Sequence, residues 1–175
     1  MTGEIKVLLS NDRIQARIRE LGREITQNYR GKDLVLIGVL KGAFVFLSDL
    51  ARVIDLPLQI DFLGLSSYGD STVTSGVVKI IHDLTRPIEG KDVLVVEDIV
   101  DTGLTLSYLI KNFMTRHPRS VNICTLLYKP SNTIKTVPLK YVGFEIEDEF
   151  VIGYGLDLAE KYRNLPYIGY IEDQR

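Results

Sequence analysis

Apolar positions along the chain follow two patterns, one typical of helices and one typical of buried strands. Near the start, apolar residues recur at steps of three and four, which places on one helix face Ile14, Ile18, Leu21, Ile25 and Tyr29. Ser10 or Asn11 is suited to cap the start of this helix, and Gly31 is suited to its end. The same reasoning predicts helices over 43–54 and about 104–115.

Continuous apolar runs predict strands that are buried on both faces, as in a parallel sheet. Strands are predicted at 34–40, 58–65, 77–81, 93–96, 121–128, 141–146 and 150–152. Polar turn-forming residues fill 66–76, which we predict to be a long loop. Because strands alternate with helices, we expect an α/β fold with a mainly parallel sheet. We expect one domain over 1–175, since domains usually span about 100–200 residues.

Composition and charge exclude several classes of protein. The 21 Lys and Arg residues nearly balance 23 Asp and Glu residues, giving a net charge of −2, so no electrostatic binding of nucleic acid is expected. One cysteine excludes an internal disulfide framework and fits a reducing compartment. No apolar run reaches the roughly 18 residues of a transmembrane helix, and the first residues lack a signal-peptide pattern. We therefore expect a cytoplasmic protein without a membrane partner.

Candidate chemistry lies in the segment 93–106, at the end of a predicted buried strand, where open α/β sheets bind ligands. Glu97 and Asp98 end the apolar run, and Asp101 follows three residues later. The Thr-Gly-Leu-Thr sequence at 102–105 then leads into a helix. Backbone N–H groups, a helix N-terminus and two hydroxyls together can form an anion cradle. A cradle beside acceptors for hydroxyl groups suits a phosphorylated sugar.

Other interpretations of this segment are weaker. A surface turn with solvated acids is the simplest one, and the combination of three acids with two threonines counts against it. A Walker phosphate loop is excluded, because the chain contains no Gly-x-x-x-x-Gly-Lys-Ser/Thr. The tripeptide Asp101-Thr102-Gly103 also matches the aspartic proteases, but those enzymes need a pair of aspartates and this chain has one copy of the tripeptide.

Over 93–106 the chain resembles the phosphoribosyl pyrophosphate motif of the type I phosphoribosyltransferases. Leu40-Lys41-Gly42 is similar to the family's pyrophosphate loop, and Ser67-Tyr68-Gly69 is similar to its flexible lid. The segments 127–129 and 148–157 resemble the purine site of the family's hypoxanthine-guanine branch.

The resemblance extends further, with two departures. The segment 161–167 resembles that branch's C-terminal signature. Leu104 and Glu149 stand where some relatives have a basic residue; Leu104 would still contribute its backbone N–H, whereas Glu149 leaves open the balance between hypoxanthine and guanine.

The resemblance implies a mainly parallel twisted sheet flanked by helices, with a small hood made by the chain ends. It implies transfer of the phosphoribosyl group from phosphoribosyl pyrophosphate to hypoxanthine and guanine, which yields IMP or GMP and pyrophosphate, with Mg²⁺ as cofactor. It also implies a homodimer or homotetramer. Two alternatives stay open: an enzyme that prefers xanthine, and a nucleic-acid-binding regulator with the same fold.

On the ribose side, the resemblance implies that the 5′-phosphate is held by Thr102, Gly103, Leu104 and Thr105. Glu97 and Asp98 would face the ribose hydroxyls and bind Mg²⁺, directly or through water. Asp101 would be the catalytic base that takes the N7 proton of the purine as N9 attacks. A structural alternative for Asp101 is capping of the following helix.

On the side of the base, Lys129 would donate a hydrogen bond to the purine O6, which favours 6-oxopurines over adenine. Phe150 would stack on the base, and backbone groups of Val151 would read its edge. The alternative for Phe150 is a core position, because it opens an apolar stretch.

On the pyrophosphate side, the resemblance implies three residues that bind pyrophosphate and one residue that binds a second Mg²⁺. Pyrophosphate would be held mainly by backbone N–H groups of Lys41 and Gly42, with a cis peptide bond before Lys41, and Arg163 would add charge. Asp157 would bind a second Mg²⁺. Ser67 and Tyr68 would lie over the ribosyl centre when the lid, 66–76, closes.

Overall fold

A computed structural model describes residues 4–67 and 78–171 of the chain. The strands are β1 (Ile5–Leu9), β2 (Leu34–Leu40), β3 (Gln59–Ser67), β4 (Val78–His82), β5 (Asp92–Val100), β6 (Ser120–Tyr128), β7 (Leu139–Glu145), β8 (Val151–Ile152) and β9 (Ile168–Ile171). The helices are α1 (Asn11–Asn28), α2 (Phe44–Val53) and α3 (Leu104–Met114), with a short 3-10 helix at Pro130–Asn132. None of the helices described is long and apolar enough to cross a membrane.

The larger sheet has the order β4-β3-β2-β5-β6-β7. Its pairs are parallel except that β4 runs antiparallel to β3. The apolar run of β2 explains its central position, because successive residues face opposite sides: Leu36 packs into one core, whereas Val35 and Ile37 pack into the other. The predicted α/β fold with a mainly parallel sheet is confirmed.

Helices cover both faces of this sheet. The predicted stripe of α1 is buried, and α1 and α2 contribute to the same core, while α3 packs into the core on the opposite face. Ser10 caps α1, with its hydroxyl oxygen accepting a hydrogen bond from the N–H of Arg13 at 3.4 Å. Of the two capping residues that the sequence allows, Ser10 is therefore the one used.

The smaller sheet joins the two ends of the described chain. Its order is β1-β9-β8, and both pairs are antiparallel. This sheet is the hood that the family resemblance implies. The sequence pattern did not predict β1 or β9, because each is short and becomes a strand through pairing with a segment from the other end of the chain.

Some predicted strand boundaries were wrong. Ser66 and Ser67, assigned to a loop, belong to β3, which pairs with β4 through Ser67. Phe150 precedes β8 instead of opening it. The strand predicted to end at Val96 continues to Val100, because it pairs with β6 as far as Tyr128.

The parallel arrangement brings the carboxyl ends of β2, β5 and β6 to one edge of the sheet. Gly38 is paired with Val96, and Val100 with Tyr128. The ends of these strands and the loops that follow them therefore lie side by side, and together they carry most of the residues that the sequence singled out.

Candidate active site

The turn between β5 and α3 encloses a small cavity of about 120 Å³. It is lined by Glu97, Ile99, Val100, Asp101, Thr102, Gly103, Thr105 and Leu106. Gly103 precedes α3 with a φ of 76°, in the left-handed region that favours glycine. A Cβ atom at this position would lie 2.2 Å from the carbonyl oxygen of Lys135, so the close backbone packing also requires glycine.

The start of α3 presents backbone N–H groups to this cavity. In the described part of the chain no side chain caps the helix, and the N–H of Leu104 makes only a long contact of 3.4 Å to the Thr102 hydroxyl. The carbonyl of Thr102 accepts hydrogen bonds from Ile134 and Lys135, each at 3.0 Å, which fixes the turn. A fixed turn at a helix N-terminus can bind an anion, and binding of the 5′-phosphate here stays a prediction from the sequence.

Asp101 lies exposed at this turn. It makes no hydrogen bond or ion pair with any described residue, and Gly103, not Asp101, occupies the N-cap of α3. The capping role that was the structural alternative is therefore not observed. An exposed carboxylate that has no partner among the described residues is available to accept a proton from a ligand.

Glu97 and Asp98 form an acid pair that is largely withdrawn from water. Burial, and secondly the charge of Asp98, raise the pKa of Glu97 well above its usual value. Burial also raises the pKa of Asp98, although the hydrogen bond from the N–H of Ile99 at 2.8 Å works against it. The Oε2 atom of Glu97 is buried without a hydrogen-bond partner among the described residues. Such an atom is suited to accept a hydrogen bond from a bound hydroxyl or water.

The acid pair adjoins the loop after β2. The Leu40–Lys41 peptide bond is cis, as the resemblance implies. The Oδ2 atom of Asp98 lies so close to Gly42 that a Cβ atom there would be 1.6 Å from it. Glycine at position 42 is therefore what allows the carboxylate and the loop to meet.

Lys129 directly follows β6, which lies on the opposite side of β5 from β2. Its backbone N–H donates to the carbonyl of Val100 at 2.9 Å, and its side chain is only 9% exposed. Its Nζ lies 3.1 Å from Oδ1 of Asp148, which also accepts from Asn132 at 2.8 Å. These hydrogen bonds, first that from Asn132 and then that from Lys129, lower the pKa of Asp148. Asp148 was not predicted; the one available signal was its place in the purine-site segment.

Phe150 and Val151 differ sharply in exposure. The Phe150 side chain is 62% exposed, whereas Val151 is buried in the core. The core alternative for Phe150 is therefore excluded, and its ring is available to stack on a flat ligand. Phe150 is two residues from Asp148, the partner of Lys129, so the two predicted base-binding side chains belong to neighbouring parts of the structure.

Arg163 pairs with Asp157 and Glu160, and Lys41 pairs with Glu160 as well. Arg163 donates to the carbonyl of Gly155 at 2.8 Å and lies 2.8 Å from Oδ1 of Asp157. Lys41 lies 2.8 Å from Oε2 of Glu160, and Nη2 of Arg163 lies 3.4 Å from the other oxygen of the same carboxylate. The sequence did not single out Glu160, because it lies between two recognised segments and reads as a surface residue.

The residues proposed for metal binding do not form a closed cage. Within the described ranges, no group of three or more His, Cys, Asp or Glu residues is placed to hold a metal ion. Mg²⁺ commonly binds through one or two carboxylates together with water and substrate phosphates, so the acid pair with its unpartnered oxygen fits that ion. Asp157 fits it less directly, since Arg163 and the N–H of Glu160 already occupy its two oxygens.

One part of the predicted site is not described. Positions 68–76 of the predicted lid, which include Tyr68, lie outside the described residues, and Ser67 is the last described residue before them. The roles of Ser67 and Tyr68 stay predictions from the sequence.

Comparison with known proteins identifies the family. The family model for the phosphoribosyl transferase domain matches residues 4–159. The chain belongs to the phosphoribosyltransferase family, and it is an enzyme of that class.

The relatives are similar over nearly their whole length. The hypoxanthine-guanine phosphoribosyltransferase of Mycobacterium avium is 58% identical, over 97% of this chain and 87% of the relative. The enzyme of the same name from Bacillus subtilis is 53% identical over 95% and 93%. A crystal structure of a hypoxanthine phosphoribosyltransferase from Staphylococcus aureus has a TM-score of 0.92 at 49% identity, covering 95% of this chain and 91% of that one. The family, fold and enzyme class expected from the sequence are confirmed.

Proposed function

We propose that this enzyme transfers the 5-phosphoribosyl group of phosphoribosyl pyrophosphate to hypoxanthine and guanine in purine salvage, forming IMP or GMP and pyrophosphate. The observation that carries this proposal is the meeting of the helix N-terminus at 102–105, the half-buried acids Glu97 and Asp98 and the buried Lys129 at one edge of the sheet. The names of the relatives support the choice of bases.

In the proposed reaction, the cradle at 102–105 holds the 5′-phosphate, and Glu97 and Asp98 hold the ribose hydroxyls. The bond from the anomeric carbon to pyrophosphate breaks with oxocarbenium character while the purine N9 attacks. Asp101 accepts the N7 proton, which a carboxylate within hydrogen-bond reach can do. Among the described residues, none is a hydrogen-bond or ion-pair partner of Asp101, which supports this role.

Selection of the base would rest on Lys129. Its ammonium group carries donors only, so it favours an oxygen at purine position 6 and disfavours the amino group of adenine. The ion pair with Asp148 restrains the side chain of Lys129. Phe150 would stack on the ring, and the backbone of Val151 would contact its edge. Xanthine also carries a 6-oxo group, so an enzyme that prefers xanthine is the alternative.

Mg²⁺ is the proposed cofactor, held by Glu97 and Asp98 on the ribose side and by Asp157 on the pyrophosphate side. When bound, it neutralises charge on the leaving group and orients the substrate. Lys41, Gly42 and Arg163 would hold the pyrophosphate itself. The close approach of Gly42 to Asp98 supports a shared site.

We further propose that one domain carries this activity, that it acts in the cytoplasm, and that copies associate as a homodimer or homotetramer. Exposed apolar side chains on β3 and β4 support association: Ile60, Phe62 and Ile81 are 48%, 37% and 64% exposed. Sedimentation velocity of the purified chain tests the assembly, and a monomer at micromolar concentration would contradict it.

An assay with a panel of bases tests the proposed function. Hypoxanthine, guanine, xanthine, adenine and orotate are each supplied with phosphoribosyl pyrophosphate and Mg²⁺, and we expect transfer to hypoxanthine and guanine. Faster transfer to xanthine would favour the alternative enzyme. Absence of transfer to every base, combined with RNA or DNA retention in filter binding, would favour a regulator.

The variant Lys129→Gln belongs in the same assay. Loss of a charged hydrogen bond costs about 1.5–3 kcal/mol, so kcat/KM for hypoxanthine should fall roughly 10- to 150-fold. The ratio of hypoxanthine to adenine turnover should fall as well, because an amide can accept from a 6-amino group. The exposed Lys111→Gln on α3 is the matched control. An unchanged ratio would place specificity elsewhere.

A further inference from the structure

The turn that carries Glu160 has an unfavourable backbone. Leu158 and Lys161 exchange two backbone hydrogen bonds, each 3.1 Å long, which makes 159 and 160 the central residues of a two-residue turn. Their φ angles are 50° and 63°. Turns with two left-handed central residues normally take Asn, Asp or Gly there. Ala159 and Glu160 therefore occupy positions where their side chains carry a conformational cost.

The side chain of Glu160 offers a reason for that cost. Its two carboxylate oxygens contact different cations: Oε2 is 2.8 Å from Nζ of Lys41, and Oε1 is 3.4 Å from Nη2 of Arg163. The hydrogen bond and charge of Lys41 lower the pKa of Glu160, so the carboxylate is ionised at neutral pH. Glycine would suit the backbone better, but it could not provide this bridge.

Glu160 bridges two cations of the proposed pyrophosphate subsite: Arg163, whose charge would bind pyrophosphate, and the ammonium group of Lys41, whose backbone N–H would bind it. Pyrophosphate and a carboxylate both present oxygen acceptors with negative charge, and both compete for the same N–H donors. Nη1 of Arg163 donates to the carbonyl of Gly155, and Nη2 contacts Asp157 as well as Glu160, so Glu160 covers one part of the guanidinium. The carboxylate thus sits at the position where an incoming anion would meet both cations.

We propose that Glu160 is a positioning residue that occupies Lys41 and Arg163 when the pyrophosphate subsite is empty and is displaced when pyrophosphate binds. This inference rests on the proposed assignment of Lys41 and Arg163 to pyrophosphate. Because Glu160 competes with pyrophosphate for Lys41 and Arg163, it lowers the affinity of the enzyme for pyrophosphate and speeds the release of this product. It also keeps the two cations in place for the next substrate.

The exposure of the pair sets the size of the effect. The side chains of Lys41 and Glu160 are 66% and 65% exposed, and ion pairs this exposed change an equilibrium by about 1.5- to 5-fold. A competitor of that strength is displaced by a polyanion, yet it still measurably weakens the binding of that polyanion.

The first test compares Glu160→Gln with the wild type. Calorimetric titration with pyrophosphate and Mg²⁺ should give a dissociation constant about 2- to 5-fold lower in the variant, and product inhibition by pyrophosphate should strengthen by the same factor. KM for phosphoribosyl pyrophosphate should fall with it, while the affinity for IMP stays within about 1.5-fold. Glu89→Gln, an exposed glutamate before β5, removes the same charge at the opposite edge of the sheet and should leave all these values unchanged.

Two further variants separate competition from other effects. In a Lys41→Gln background, Glu160→Gln should tighten pyrophosphate by less than half of its effect in the wild type, whereas simple charge repulsion would act undiminished. Glu160→Gly should tighten pyrophosphate as Glu160→Gln does. It should also raise Tm, because glycine relieves the left-handed backbone.

The results distinguish failure of the inference from failure of the site assignment. If neither Lys41→Gln nor Arg163→Gln weakens pyrophosphate binding, the assignment of the subsite is wrong. If both weaken it but Glu160→Gln and Glu160→Gly leave the affinity unchanged or lower it, Glu160 is a structural bridge and the inference is overturned.

Discussion

Asp101 is a carboxylate at the phosphate cradle with no described protein partner, and its replacement by asparagine gives a sharp test of its role. Asp101→Asn keeps the shape of the side chain and removes the base. We expect kcat to fall by about 10²–10⁴-fold, the usual scale for loss of a general base. Binding of IMP should survive within about tenfold. Steady-state kinetics and calorimetry measure the two quantities.

The control for this variant is Asp33→Asn, an exposed aspartate at the amino end of β2. It makes the same chemical change at the opposite edge of the sheet, and it should leave kcat unaltered. Turnover of Asp101→Asn close to that of the wild type would remove Asp101 from the mechanism.

Glu97 makes the folded protein less stable as the pH rises. Its pKa is raised in the folded state by burial and by Asp98, so folding favours the protonated form. The favourable contribution is complete below the unfolded pKa of about 4.5 and is lost as the pH rises through the raised value. Glu97→Gln should therefore raise Tm at pH 8 by a few degrees, about 2–4 °C for each 1 kcal/mol, and by less at pH 4.5.

Thermal melts in buffer without Mg²⁺ measure this difference in Tm. The kcat/KM of Glu97→Gln should fall, because Glu97 and Asp98 are proposed to bind the substrate at a cost in stability. Glu89→Gln, exposed and distant, is the control and should shift neither quantity. An equal Tm gain at both pH values would mean that the ionisation of Glu97 does not limit stability.

The loop after β2 and the end of β5 depend on each other through Gly42. A methyl group at position 42 would lie 1.6 Å from Oδ2 of Asp98, so Gly42→Ala must push the loop or the carboxylate away. Overpacking of this kind typically costs about 1–3 kcal/mol, and we expect a corresponding drop in denaturation free energy and weaker binding of phosphoribosyl pyrophosphate.

A double variant provides the control for this effect. Asp98→Ala removes the atoms that the new methyl group meets, so Gly42→Ala should cost much less stability in that background. Additive losses in urea denaturation would contradict a direct clash between the two elements.

Elements with a strong local pattern were predictable, and elements defined by their partners were not. The stripe of α1 and the apolar run of β2 are repeated signals within one segment, and both elements form where predicted. β1 and β9 carry little signal of their own and pair with each other from opposite ends of the chain. β5 passes beyond its apolar run because β6 offers backbone partners up to Tyr128.

The thiol of Cys124 can report whether the whole molecule unfolds cooperatively. Cys124 is the one cysteine of the chain, and it is fully buried in the middle of β6. Burial also raises the pKa of its thiol, which lowers the reactive thiolate fraction further. In native buffer we expect modification by a thiol reagent to be slower than in 8 M urea by several orders of magnitude.

If the chain is one domain, thiol exposure and loss of helical circular dichroism should follow the same urea transition. As a control, Ser107→Cys in a Cys124→Ala background places a thiol on the less buried side of α3 and should react without unfolding. Labelling of Cys124 well before the loss of secondary structure would indicate separate folding units.

The sequence by itself determined the α/β class, the parallel sheet and the turn that joins β5 to α3. These features follow from periodicity and from contiguous residues, whose geometry is set by local backbone preferences and by burial of apolar faces. Only the tertiary structure decided the contacts between distant segments. Lys129 meets Asp148 19 positions away, and Lys41 meets Glu160 119 positions away. Such pairs carry no periodic signal, because an exposed glutamate in a turn looks the same in the sequence whether or not folding brings a cation to it.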